Sequence, residues 1–178
     1  KAAERDGERE RAALSARLDA LNISLARGDG AAALLRAGES AGVVGSVAAL
    51  LTIEPGREHA VAAALGPLSN AVVVRDGAAA VAGLLLLHRD AAGRAAVIVL
   101  DGEERPVPPR GPAPQGASWL IDSVSGPADL LSALHQRLAD VVLVSNLDDA
   151  DRLRRQGLSA VTLDGDMLGP SHAIGGSG

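Results

Sequence analysis

The chain has 178 residues, no cysteine, and a formal net charge of −5 at pH 7. That length suits one compact domain or two small lobes, and the missing thiols exclude disulfides and Cys-based zinc sites, which fits a reducing cytosol. The acidic balance argues against a surface that coats nucleic acid throughout, though it leaves room for a local basic patch. Trp119 is the single aromatic residue, so Ala, Val, Leu and Ile must build the core. Alanine favours helix but buries little area, which predicts modest stability raised by self-association.

In chain order, residues 1–27 read as a helix. Leu14, Leu18, Leu21 and Leu25 recur at spacings of four, three and four, the seam pattern of a coiled coil. The start is charged, lacks the apolar centre of a signal peptide, and begins with Lys1, so a fragment of a longer protein is expected. No apolar run approaches the ~20 residues of a membrane span. "RGDGAA" breaks the first helix.

"GVVGSVAALLTI" then reads as a strand with close backbone approach at Gly42 and Gly45. "EPGREHAVAAALG" reads as a helix, with Pro55 in its first turn and Gly66 as its cap. "NAVVVRD" is a buried strand, "GAAAVAGLLLLHRD" a helix and "GRAAVIVLDG" a strand. "EERPVPPRGPAPQGAS" is too rich in proline and glycine for helix or interior strand and reads as a linker. Beyond it "WLIDSV" (strand), "GPADLLSALHQRL" (helix), "DVVLVSN" (strand), "LDDADRLRRQG" (helix) and "SAVTLDGDML" (final strand or hairpin) resume the alternation. The fold class is therefore α/β (α+β), two small lobes that each pack helices on a sheet, preceded by the end of a coiled-coil helix. The boundaries are 1–40 for the coil end and junction, 41–103 for lobe I, 104–117 for the linker and 118–178 for lobe II with a glycine-rich tail. The second half echoes the order of the first without convincing residue identity.

Catalytic parts are missing. The four histidines fall in separate segments, and Asp164 and Asp166 around Gly165 read as a hairpin turn rather than a metal site. No dinucleotide fingerprint, phosphate loop or nucleophile elbow occurs. Neither enzyme activity nor a metal is expected.

Three stretches carry a resemblance. "GVVGSVAALLTIEPGREHAVAAALG" (42–66), "AGRAAVIVLD" and "VTLDGDMLGPSHAIGGSG", in order and suitably separated, resemble the hinge domain of bacterial structural-maintenance-of-chromosomes (SMC) proteins. "SLARGDGAAALLRA" looks like the junction from coil to hinge, and the alanine-rich style is similar to actinobacterial members. Ala96 and Val97 stand where the family often has Phe or Tyr, and the proline-rich insert is unlike the usual link.

The resemblance implies a homodimer in which a sheet edge of one lobe meets an edge of the partner's opposite lobe. The dimer would close one end of a coiled-coil ring or rod that entraps and organises DNA, in chromosome condensation and segregation. ATP would bind only at distant heads, so no cofactor is expected here, and the location would be cytoplasmic and nucleoid-associated. Gly165, Gly169, Gly175 and Gly176 are the expected dimer contacts, since backbone pairing benefits from residues without a β-carbon. Weak, non-specific DNA contact is assigned to Arg75, Arg89, Arg94, Arg154 and Arg155. For Arg152, Arg154 and Arg155, a competing explanation is a helix with acids at its start and bases at its end. The alternative function is an α/β module binding a small ligand or protein, unrelated to chromosomes.

Overall fold

The computed structural model describes residues 30–100 and 111–176. The leucine stripe 14–25 and most of the proline-rich segment lie outside these residues.

The first half opens with helix α1 (30–37). Strand β1 (Val43–Ser46), a one-turn helix α2 (Val47–Leu50) and β2 (Thr52–Ile53) follow, then α3 (Glu58–Leu65), β3 (Val72–Val74), α4 (Gly77–Arg89) and β4 (Val97–Val99). The stretch 42–53, expected as one strand, is thus two strands split by a helical turn. Ser46 causes the break: its hydroxyl accepts from the Ala49 N–H and caps α2. Pro55 likewise sits in a turn before α3, whereas Gly66 does end that helix, its N–H bonded to the Ala62 carbonyl.

The second half repeats this order. Strand β5 (Ala117–Trp119) leads through a 3-10 turn (Leu120–Ser123) to β6 (Val124–Ser125), so "WLIDSV" is also broken. Helix α5 (Ala128–Leu138), β7 (Val141–Val144), α6 (Leu147–Arg154) and β8 (Ser159–Thr162) follow. Two short strands, β9 (Met167–Leu168) and β10 (Ala173–Ile174), have no counterpart in the first half.

The two halves match in pairing as well as in order. In the first sheet β3 is central, antiparallel to β1 and parallel to β4. In the second, β7 is antiparallel to β5 and parallel to β8, and β9 and β10 extend the sheet antiparallel beyond β8. Asp76 and Asn146 occupy equivalent helix caps: backbone angles are −158°, 173° and −156°, 167°, and each side chain accepts the N–H three residues on.

Equivalent elements also meet each other. β2 pairs antiparallel with β6, α3 packs on α5, and the Arg57 guanidinium donates to the Ser123 hydroxyl at 2.7 Å. The main core crosses this seam: Val61 and Leu65 of α3 join Leu130, Leu134 and Leu138 of α5, with Val73 of one sheet and Val141, Leu143 and Val161 of the other. Spacings of four put the α5 leucines on one face. A smaller cluster under α4 is filled by Leu34, Val43, Val72, Val74 and Leu87, and a third under α6 by Val142, Val144, Leu153 and Ala160.

Candidate functional site

The first sheet has β1 and β4 at its edges and the second β5 and β10, and of these β4 and β10 present their backbone groups as follows. On β4, the Val72 N–H donates to the Ala96 carbonyl and the Leu100 N–H to the Val74 carbonyl. Residues of a parallel strand alternate between neighbours, so the N–H and C=O of Val97 and Val99 face away from β3, where the described residues supply no strand. On β10 the same alternation follows from the Gly169 N–H bonded to the His172 carbonyl, with Ala173 opposite Leu168. His172 and Ile174 face β9, while Ala173 and Gly175 turn their backbone groups outward. Both edges are short, and Ile174 is an apolar side chain left 58% exposed. Such edges are templates for another strand.

The tail glycines answer mostly to their own chain. Gly165 closes the turn after β8 with φ +88°, its N–H bonded to the Thr162 carbonyl, and a β-carbon there would stand 3.2 Å from the His59 carbonyl of α3. At Gly169 a β-carbon would run into the His172 ring, and at Gly175 into the Asp166 carboxylate. Gly176 has φ +113° and open space around it. The Asp166 carboxylate accepts from the Gly176 N–H at 2.9 Å.

The five arginines do not form one cluster. Arg75 lies after the C-terminal end of β3 and donates to the Glu39 carbonyl, whereas Arg89 and Arg94 lie at the other end of the β3–α4–β4 unit. Arg89 is bound to Asp90, which holds the Asp90 carboxyl below its ordinary range. Arg154 and Arg155 both bind Asp151, at 2.6 and 2.5 Å, and hydrogen bonds first from Arg155 and then from Arg154 lower its pKa. Arg152 does the same for Asp149, itself at the start of α6. Arg94 is exposed, free of any carboxylate among the described residues, and lines a cavity of 460 Å³ with His88, Leu84 and Leu87. That His88 lies beside it has no signal in the sequence, because five residues and a helix end separate the two.

Among the described residues, no group of three or more His, Asp or Glu side chains is arranged to hold a metal, and no helix is long and apolar enough to cross a membrane.

Residues 40–154 match the sequence profile described as "SMC proteins Flexible Hinge Domain". The chain belongs to the SMC hinge family. It is 42% identical over 178 residues to the chromosome partition protein Smc of Mycolicibacterium paratuberculosis and 41% identical over 181 residues to that of Mycobacterium tuberculosis. These alignments take in 99% and 98% of this chain but only 15% of either relative, so the chain spans a small part of their length. Its fold is that of solved SMC hinges. An asymmetric dimer of the Geobacillus stearothermophilus SMC hinge domain superimposes with a TM-score of 0.72 at 24% identity, over 96% of this chain and 76% of that one. The Pyrococcus furiosus Smc hinge domain with an extended coiled coil gives 0.70 at 24% identity, over 96% and 60%. Family membership does not favour the alternative of a ligand module unrelated to chromosomes. The resemblance read from three sequence blocks is borne out.

Proposed function

We propose that this hinge homodimerises through two of its sheet edges: β4 of each copy pairs with β10 of the other, giving two equivalent interfaces about a two-fold axis. The observation that carries the reading is a pair of edges, on opposite halves of one shared core, that have no strand partner among the described residues, with Val97, Val99, Ala173 and Gly175 aiming backbone groups outward. Two-fold symmetry then satisfies both of these edges at once, so this contact closes on itself as a dimer. The dimer would close one end of an SMC ring or rod at the nucleoid, with ATP handled elsewhere in the full protein. Gly175 and Gly176, at the end of the outward-facing edge, would allow close approach of the partner.

The test is molar mass by light scattering across a dilution series. Twice 17.9 kDa is expected for the native chain. Val99→Pro removes one outward N–H at a position where an edge strand tolerates proline, and should give a folded monomer. A Val99→Pro chain that still dimerises as the native one does would overturn the β4 assignment.

A DNA role is proposed for Arg94 with His88, a neighbouring pair tied to no carboxylate among the described residues. Such contact would be weak, sequence-tolerant and lost with salt. Absence of retardation in a gel at low salt would remove it.

A further inference from the structure

Asp166 stands where the β9–β10 hairpin runs out of backbone partners. Met167 and Ile174 form the last backbone pair, and the next inward-facing group on the departing chain is the Gly176 N–H. No ladder carbonyl receives it; the Asp166 carboxylate does, at 2.9 Å. Asp166 is itself held on both sides of its own peptide: its N–H donates to the Thr162 hydroxyl at 3.2 Å and its carbonyl accepts from the Thr162 N–H at 2.9 Å. Thr162 is buried at the end of β8. The carboxylate is therefore anchored to the sheet interior and extends the hairpin by one rung. That rung fills the space a side chain at 175 would need, since a β-carbon built on Gly175 collides with the same carboxylate oxygen.

We propose that Asp166 is the positioning residue of the β10 edge: it fixes the strand so that Ala173 and Gly175 face a second copy, and it is the reason residue 175 is glycine. The proposal rests on the dimer reading and goes beyond it. In that reading alone the partner's backbone demands glycine at 175, whereas here the demand comes from the chain's own carboxylate.

The two origins separate in a double-mutant cycle on the dimer dissociation constant. Asp166→Ala should raise it about tenfold, the effect of one hydrogen bond to a charged group, with an unchanged circular dichroism spectrum. Asp166→Asn, whose amide oxygen still accepts, should stay within about twofold of the native chain. Gly175→Ala should weaken the dimer in the native background and have no further effect in the Asp166→Ala background. An equal cost of Gly175→Ala in both backgrounds, or native affinity in Asp166→Ala, would overturn the proposal. If the native chain does not dimerise at all, the dimer reading is what fails. The rung itself is then decided by the Gly176 amide resonance. A small temperature coefficient that Asp166→Ala raises and Asp166→Asn preserves upholds the rung, and an identical coefficient in all three chains refutes it.

Discussion

Helices α4 and α6 hold the same place in the two halves and share almost nothing on their outer faces. Each follows a fully buried strand and a capped two-residue turn, and each leads to a parallel strand. The inward face of α4 is Ala80, Gly83 and Leu87, and its outward face leaves Val81, Leu84 and Leu85 exposed. The small residue at 83 lets α1 close in, with Leu34 Cδ2 3.1 Å from where a β-carbon would be. On α6 the inward face is Ala150 and Leu153, and the outward face is a lattice of Asp–Arg pairs. What is common is set by burial and capping. What differs lies on the outside, where burial imposes no choice.

The sharpest break in that comparison is between leucines. Leu153→Ala on α6 removes a side chain that is 0% exposed and should cost about 2–5 kcal/mol by denaturant titration. Leu85→Ala on α4, at 62% exposure, should stay within about 0.5 kcal/mol. A large loss at Leu85 would mean that something covers this face.

The caps test what the halves share. Asp76→Ala and Asn146→Ala should each cost about 1 kcal/mol and add in the double variant, because equivalent geometry predicts equivalent loss. A cost at only one cap would break the equivalence.

The smallest effect belongs to the α6 ion pairs. Asp149 and Asp151 have folded pKa values below the ordinary 3.8. Their contribution is therefore fully present above that value and is lost as pH falls through the lower folded pKa. Arg155→Gln should lower the melting temperature slightly at pH 7 in low salt, and neither at 1 M salt nor in acid below the folded pKa. A drop that persists in high salt would point to lost packing of the arginine stem instead.

Much of this was legible in the sequence. "NAVVVRD" and "DVVLVSN" announce buried strands because four consecutive apolar residues precede an Asp or Asn able to cap the next helix. The Asp-Gly turn after β8 could be read because few residues other than glycine accept φ near +88°. The stretch 42–53 reads as one strand, since Val47 to Leu51 is apolar enough for either state and only the Ser46 cap decides. The repeat of order was visible, but not its consequence. That β2 meets β6 and α3 meets α5 is a long-range pairing with no local signature. The site was harder still. The family resemblance pointed to the tail glycines, yet the partners of Gly169 and Gly175, His172 and Asp166, emerge only when the hairpin closes.

The seam between the halves also has a mechanical meaning. The chain enters the described fold at Gly30 on the first half and leaves at Gly176 on the second. A pull between those ends can pass along the covalent link between the halves or across the seam of β2 with β6, α3 with α5 and Arg57 with Ser123. Within the described residues, resistance across that seam comes from a two-residue ribbon and the α5 leucines of the shared core, none of them part of β4 or β10.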